Sequence, residues 1–323
     1  MRRRSLIQSI PLASTLLLLG GTGLAEAADS FEQFLAGVNR MAAGRGVSER
    51  IRLATLRGLQ PDPKVIKFEN YQPEFTESWA QYSAARLSAA RIAAGRQHAA
   101  ANGRILADVR GRFGVDPGVI MGIWGLETNY GSYTGDYSVV RSLATLGWNS
   151  HRPAYFRSEL ISALEIIDSG AVTPQGMTGS WAGAMGQPQF MPSIYQRLAV
   201  SFSGRGRPNI WTNVPDTLAS IGNYLRDAGW RLGEPWGESV VIGPSLGGDG
   251  DSTQTLGRWQ ALGVRRLPGH PRVSPAMPAR LVLPDGAGGA AFLVYPNFKV
   301  IRRYNPSDFY ALSVGLLGNL VVA

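Results

Sequence analysis

Apolar residues recur at helical spacing through most of the chain. Between about Ala154 and Asp168, Phe156, Leu160, Ile161, Leu164 and Ile167 share one face, and Gly170 is placed to stop the helix. A second stripe opens near Pro215-Asp216 and presents Leu218, Ile221 and Leu225 before Gly229. Residues 76–113 are rich in Ala, Arg and Leu with few breakers, which predicts a long helix, or a pair of them, beginning near Thr76. Asp116-Pro117 reads as a cap followed by a first-turn proline. The helix it opens carries Val119, Ile120, Ile123 and Trp124 toward Glu127, with Gly131 able to stop it or to shape the next loop.

The pattern changes over 234–302. Val240-Val241-Ile242, Arg280-Leu281-Val282-Leu283 and Ala291-Phe292-Leu293-Val294-Tyr295 are short, β-prone and separated by Pro-Asp-Gly and Gly-Gly punctuation, so they predict strands of a small sheet or irregular lobe. Asn305-Pro306-Ser307 then opens a final helix with Ser307 as its cap. Helices, a β-containing insert and a closing helix predict an α+β, predominantly α architecture whose last helix returns to the main body.

The chain start bears on compartment. Arg2-Arg3-Arg4 precede an apolar run, Leu12 to Leu19, too short to span a bilayer but suited to a signal-peptide core, and Ala25-Glu26-Ala27 places cleavage after Ala27. Both a Sec and a twin-arginine route fit Arg3-Arg4-Ser5-Leu6-Ile7. The expected product is a soluble periplasmic protein with no transmembrane segment in the mature chain. The sequence contains no cysteine, which excludes disulfides, thiolate metal sites and lipid attachment at a cysteine. Removing residues 1–27 takes away three Arg and one Glu and lowers the formal charge from +9 to +7 over 296 residues, a basic balance that favours an anionic partner. Export argues against nucleic acid, and the scatter of Arg86, Arg91, Arg96, Arg104 and Arg110 fits solvated helix faces as well as a binding patch.

Glu127 is the most informative residue. It ends the apolar stretch Val119 to Leu126 and is followed at once by Thr128-Asn129-Tyr130-Gly131. A carboxyl against Trp124 and Leu126 loses hydration in its charged form, so its pKa should rise and it could serve as a general acid near neutral pH. The competing reading is a helix-end glutamate turned out to water. Ordinary glycosidases need two carboxylates flanking the bond. Asp136 lies nine positions on, and Glu159 and Glu165 sit on a helix where surface exposure is expected.

Three motifs carry a resemblance: Gly125-Leu126-Glu127-Thr128-Asn129-Tyr130-Gly131, Arg141-Ser142-Leu143-Ala144-Thr145-Leu146, and Gly179-Ser180-Trp181-Ala182-Gly183-Ala184-Met185-Gly186-Gln187-Pro188-Gln189-Phe190-Met191-Pro192-Ser193. With the tail Tyr295-Pro296-Asn297-Phe298 and Arg303-Tyr304-Asn305, the chain from about residue 30 to the end resembles the lytic murein transglycosylase B family. The resemblance implies a lysozyme-like core with an N-terminal helical domain and a small β lobe. The corresponding division is 1–27 signal peptide, 28–115 helical region, 116–233 catalytic core, 234–302 β-containing lobe and 303–323 closing helix. The implied partner is the peptidoglycan glycan strand. The implied reaction cuts the β-1,4 bond between N-acetylmuramic acid and N-acetylglucosamine and leaves a 1,6-anhydromuramyl end, with Glu127 as the one acid and base.

By the same resemblance Ser180, Gln189, Phe190 and Met191 are substrate contacts, as are Tyr82, Tyr155, Tyr224, Tyr304, Asn305 and Tyr310. Gly183 and Gly186 would allow close approach of backbone to a saccharide, or serve packing alone. Some family members bind calcium in an Asp-rich loop matching Ser201 to Asn209. Here Ser201, Arg205 and Arg207 stand where ligands would be wanted, so no metal or other cofactor is expected. His98, His151 and His270 show no ligand spacing. A hydrolytic muramidase using the same acid, and a non-catalytic peptidoglycan-binding protein, remain the alternatives.

Overall fold

A computed structural model describes residues 30–70, 77–243, 246, 252–286 and 288–322. The expected signal peptide and Thr76 lie outside the described residues. The chain divides into two compact units, each discontinuous in sequence.

The first unit comprises residues up to Gln72, Gly135–Met185 and Phe190–Arg197. Its opening helix, Phe31–Gly44, starts at a reciprocal cap between Ser30 and Gln33 and buries Phe31, Phe34, Leu35 and Val38. That face packs on Val139–Trp148 and Pro153–Asp168, with Phe31 edge-on to Trp148 at 5.4 Å between ring centroids. The stripe read from Phe156 to Ile167 is buried, and Gly170 is left-handed just beyond the helix end, as expected. Glu159 departs from expectation. It is buried because its carboxylate accepts the backbone N–H and the hydroxyl of Ser193, at 2.9 and 2.6 Å. Glu165 is half-buried and pairs with Arg45 at 2.9 Å.

The second unit comprises Pro73–Thr134, Gly186–Gln189 and Leu198–Ala323. Its axis is the helix Pro117–Thr128, in which every residue from Val119 to Gly125 is buried, so it is apolar all round. The closing helix Asp308–Val322 lies along it, with Ala89–Ala101, Gly103–Phe113 and Val214–Asp227 as further neighbours. The two central helices approach at glycine: a Cβ on Gly122 would run into the Val314 carbonyl, and one on Gly318 into the Gly118 carbonyl. Asp116 does not cap through its side chain; it accepts the Trp230 indole N–H at 3.1 Å instead.

The expected long helix or pair over 76–113 is three helices, Trp79–Arg86, Ala89–Ala101 and Gly103–Phe113. Ser78 and Ser88 cap the first two through their hydroxyls, which lets local bonds compete with helix continuation. The predicted strands form a five-stranded antiparallel sheet in the order Thr253–Thr255, Pro278–Val282, Ala291–Val294, Gly237–Val241, Arg265–Arg266. Val240, Leu256, Trp259, Leu281 and Leu293 fill its core. The two outer strands and the helix Pro296–Tyr304 went unread in the sequence. Ser307 accepts the Tyr310 N–H at the start of the closing helix, as predicted. Among the described residues no helix is long and apolar enough to cross a membrane.

Candidate active site

Glu127 occupies the last turn of the central helix. The chain leaves that helix sharply: Asn129, Tyr130 and Gly131 all have positive φ, at 49°, 59° and 79°. The stop therefore falls at Asn129, and Gly131 takes the second of its two expected roles, shaping the loop that follows. Two non-glycine residues held in the left-handed region need outside support. Gln187, buried in the segment Gly186–Gln189, provides much of it. Its Oε1 accepts the Trp124 indole N–H at 2.9 Å, its carbonyl accepts the Thr128 hydroxyl at 2.9 Å, and its Nε2 donates to the Trp211 carbonyl at 3.2 Å. The Thr128 hydroxyl in turn accepts the Gly131 N–H at 3.1 Å. Gln187 and Thr128 lay inside the recognised motifs but were not singled out, because nothing in the sequence tells a buried amide from one facing a ligand.

The carboxyl of Glu127 meets a group of phenols. The Tyr310 hydroxyl donates to Oε1 at 2.6 Å, and among the described residues Oε2 takes no hydrogen bond. Burial pushes Glu127 up to about 7 from an ordinary 4.5, and the Tyr310 bond works in the opposite direction because it favours the ionised form. Tyr310 is buried and Tyr304 half-buried; burial first and the nearby Glu127 second hold both hydroxyls protonated well above their usual range. Tyr304 donates to the Pro188 carbonyl and Tyr224 to the Arg303 carbonyl, each at 2.6 Å, and their rings lie 4.6 Å apart. Tyr82 is buried, with the Arg86 guanidinium 4.0 Å from its ring centroid and Phe309 at 5.4 Å. Its hydroxyl is raised by burial and further by Glu127, against Arg86. Asn305 is half-buried and accepts the Ser307 N–H.

The structure thus brings Glu127, Tyr310, Tyr304, Tyr224 and Tyr82 together. Gln189 belongs to the same unit. It has a φ of 53°, and its Nε2 donates to the carbonyls of Thr134 and Gly186, both at 2.9 Å.

Four of the expected substrate contacts belong to the first unit. Ser180 accepts the Ala184 N–H on its hydroxyl at 3.0 Å and is half-buried, as is Met191. Tyr155 is 40% exposed, with Arg152 set 5.2 Å from its ring centroid. Phe190 is buried, and its backbone pairs with Met185. The glycines have an internal reason: Gly183 and Gly186 have φ of 90° and 63°, and a Cβ would strike Leu143 in the first unit and the Ile210 carbonyl in the second. Their requirement is met by packing and backbone geometry, without reference to a saccharide.

Calcium does not fit the loop at Ser201–Asn209. Asp216 is its one carboxylate, and both oxygens accept backbone N–H groups, from Phe202 and Asn209, at 2.8 Å. Asn209 Oδ1 accepts from Trp211 and Thr212, and Arg205 and Arg207 face the same hollow. Among the described residues no group of three or more His, Asp or Glu is arranged to hold a metal ion.

A predominantly helical α+β body with a small antiparallel sheet places this chain among lysozyme-like proteins. The chain belongs to the transglycosylase SLT domain family, whose model matches residues 30–319. It is 36% identical over 214 residues to the membrane-bound lytic murein transglycosylase B of Escherichia coli K12; that match covers 65% of this chain and spans 58% of that relative's length. Among solved structures, SltB3 of Pseudomonas aeruginosa in complex with NAG-anhNAM-pentapeptide is 40% identical, with a TM-score of 0.86 over 91% of this chain and 80% of that one. Soluble lytic transglycosylase SltB1 of the same organism is 31% identical, with a TM-score of 0.79 over 90% and 98%.

Proposed function

We propose that the protein is a lytic transglycosylase that cuts the β-1,4 bond between N-acetylmuramic acid and N-acetylglucosamine in peptidoglycan, with Glu127 as its single acid and base. The observation that carries this reading is a carboxyl that burial pushes up to about 7 and that the Tyr310 hydroxyl holds on one oxygen. Such a group is half protonated at neutral pH and can act in both directions.

In the first step Glu127 gives its proton to the glycosidic oxygen as the bond from the muramyl anomeric carbon breaks. The muramyl N-acetyl group assists at that carbon. In the second step the sugar 6-hydroxyl attacks the anomeric carbon and returns its proton to Glu127. No water is consumed, and the second carboxylate of an ordinary glycosidase has no task. Acid–base help supplies roughly 10²–10⁴-fold, so positioning of the strand must supply much of the remainder.

The substrate contacts carried over by resemblance belong to this proposal: Ser180, Gln189, Phe190, Met191, Tyr82, Tyr155, Tyr224, Tyr304 and Asn305 for the saccharide, and Tyr310, which also orients the acid. So do the 116–233 catalytic stretch and export to the periplasm after cleavage at Ala27. The test is digestion of purified sacculi by the parent and by Glu127→Gln, with mass analysis of the released muropeptides. Turnover by a folded Glu127→Gln protein at the parental rate would place the acid elsewhere.

A further inference from the structure

The second unit holds a hollow whose chemistry this reaction does not use. It has a volume of about 340 Å³, and neither Glu127 nor any of the phenols around it lines it. Its acceptors are already engaged. Asp216 is buried with both oxygens on backbone N–H groups, the Asn213 side-chain oxygen accepts the Asp216 N–H, and the Ser201 hydroxyl donates to the Arg205 carbonyl.

The remaining lining is rich in donors. Arg45, Arg86, Arg141, Arg266, Arg280 and Arg302 each pair with a carboxylate. The guanidinium groups of Arg205 and Arg207 bond no carboxylate and no carbonyl among the described residues. Arg112, which reaches the Phe202 carbonyl, adds a third cation to the loop. Three cations against one carboxylate leave the hollow positive.

We propose that this hollow binds a carboxylate, and that on the wall polymer its occupant is the free carboxylate of a stem peptide. A guanidinium fork matches the two oxygens of a carboxylate, and a pair of forks can hold one from both sides. Asp216 at the base repels a phosphate dianion more strongly than a monoanion, which selects the carboxylate. The volume, at the low end of ligand-sized sites, suits a peptide end. The naming of a stem peptide rests on the peptidoglycan reading above; the carboxylate site does not.

The probe is N-acetyl-D-alanyl-D-alanine, titrated by calorimetry into the mature protein beside its C-terminal amide and inorganic phosphate. The acid should bind saturably, at least tenfold tighter than the amide and tighter than phosphate. Binding should weaken with salt and fall at least tenfold in Arg205→Gln/Arg207→Gln at unchanged melting temperature. Arg205→Lys/Arg207→Lys, which keeps the charge and loses the fork, should fall between and serves if the Gln pair does not fold. On glycan strands stripped of peptide the double variant should match the parent, whereas on intact sacculi its KM should rise. Absence of saturable binding, equal binding of the amide, tighter binding of phosphate, or affinity indifferent to both arginine pairs overturns the proposal. Arginine-dependent binding in a protein whose Glu127→Gln variant stays active would sink the transglycosylase reading and leave the carboxylate site standing.

Discussion

At the scale of single residues, the site turns on what one hydrogen bond and one desolvated carboxyl do to each other. Glu127 titrates near 7 when folded and near 4.5 when not, so folding takes up a proton between those values. Its contribution to stability is complete below about 4.5 and is lost as pH rises through about 7. Glu127→Gln, neutral at every pH, should therefore melt above the parent at pH 8, with the margin closing toward pH 4.5; a parent that is the more stable at pH 8 would show the carboxyl to be well hydrated. Catalysis needs the protonated form first, so kcat/KM should fall above about pH 7. Tyr310→Phe removes the bond that favours the ionised form, so this basic limb should move to higher pH while turnover drops. A limb that stays in place would show that Tyr310 does not tune the acid. The neighbours Trp124 and Leu126 made the desolvation of Glu127 legible in the sequence. Tyr310 stands 183 positions away and entered by resemblance alone. Glu159 is buried against the expectation from helix periodicity, which cannot announce a Ser193 that satisfies its carboxylate.

At the scale of elements, Glu127 is held by a helix that has no polar face and so depends on its neighbours. The approach of the closing helix to Pro117–Thr128 requires glycine at position 122, since a Cβ there meets the Val314 carbonyl. Helix propensity alone favours alanine over glycine by about 1 kcal/mol. The clash is with backbone, which cannot turn aside, and overpacking of this kind costs about 1–3 kcal/mol, so Gly122→Ala should lower stability. Glu127 and Tyr310 lie on these two helices, so activity should fall with it. Denaturant unfolding of Gly122→Ala checks the sign, and a gain in stability would mean that the helices separate freely. The long apolar stripes and the capping Ser307 were legible because burial and caps repeat at helical spacing. The breaks after Arg86 and Ala101 were not: the first falls where the Ser88 hydroxyl caps the next helix, the second where the Asn102 amide donates back to the His98 carbonyl. The strand Arg265–Arg266 has no apolar alternation at all and exists through pairing with Val240-Val241.

At the scale of the whole molecule, the sequence made the class of fold legible, and with it the coarse order of a helical body, a β-containing insert and a closing helix. The two units are each assembled from separated stretches, a grouping of long-range contacts that no local pattern encodes. The loop Ser201–Asn209, packed over Asp216, offers calcium no ligand set. The Asp216 carboxylate is bound to backbone N–H groups of the loop and the loop's arginines oppose a cation, so a chelator should alter neither activity nor melting temperature. Loss with chelator and specific recovery with calcium would refute that. The product distinguishes the reading as a whole. A muramidase and a transglycosylase share the acid and differ in what attacks the anomeric carbon, water in one and the sugar's own 6-hydroxyl in the other. A single carboxyl that gives and takes back one proton suffices for the internal attack, whereas hydrolysis needs a second group to activate water or form an intermediate. Muropeptides released from sacculi should therefore end in 1,6-anhydromuramyl residues, lighter by one water than reducing ends. Digests containing reducing ends alone would assign the protein to the hydrolases, with Glu127 still its acid.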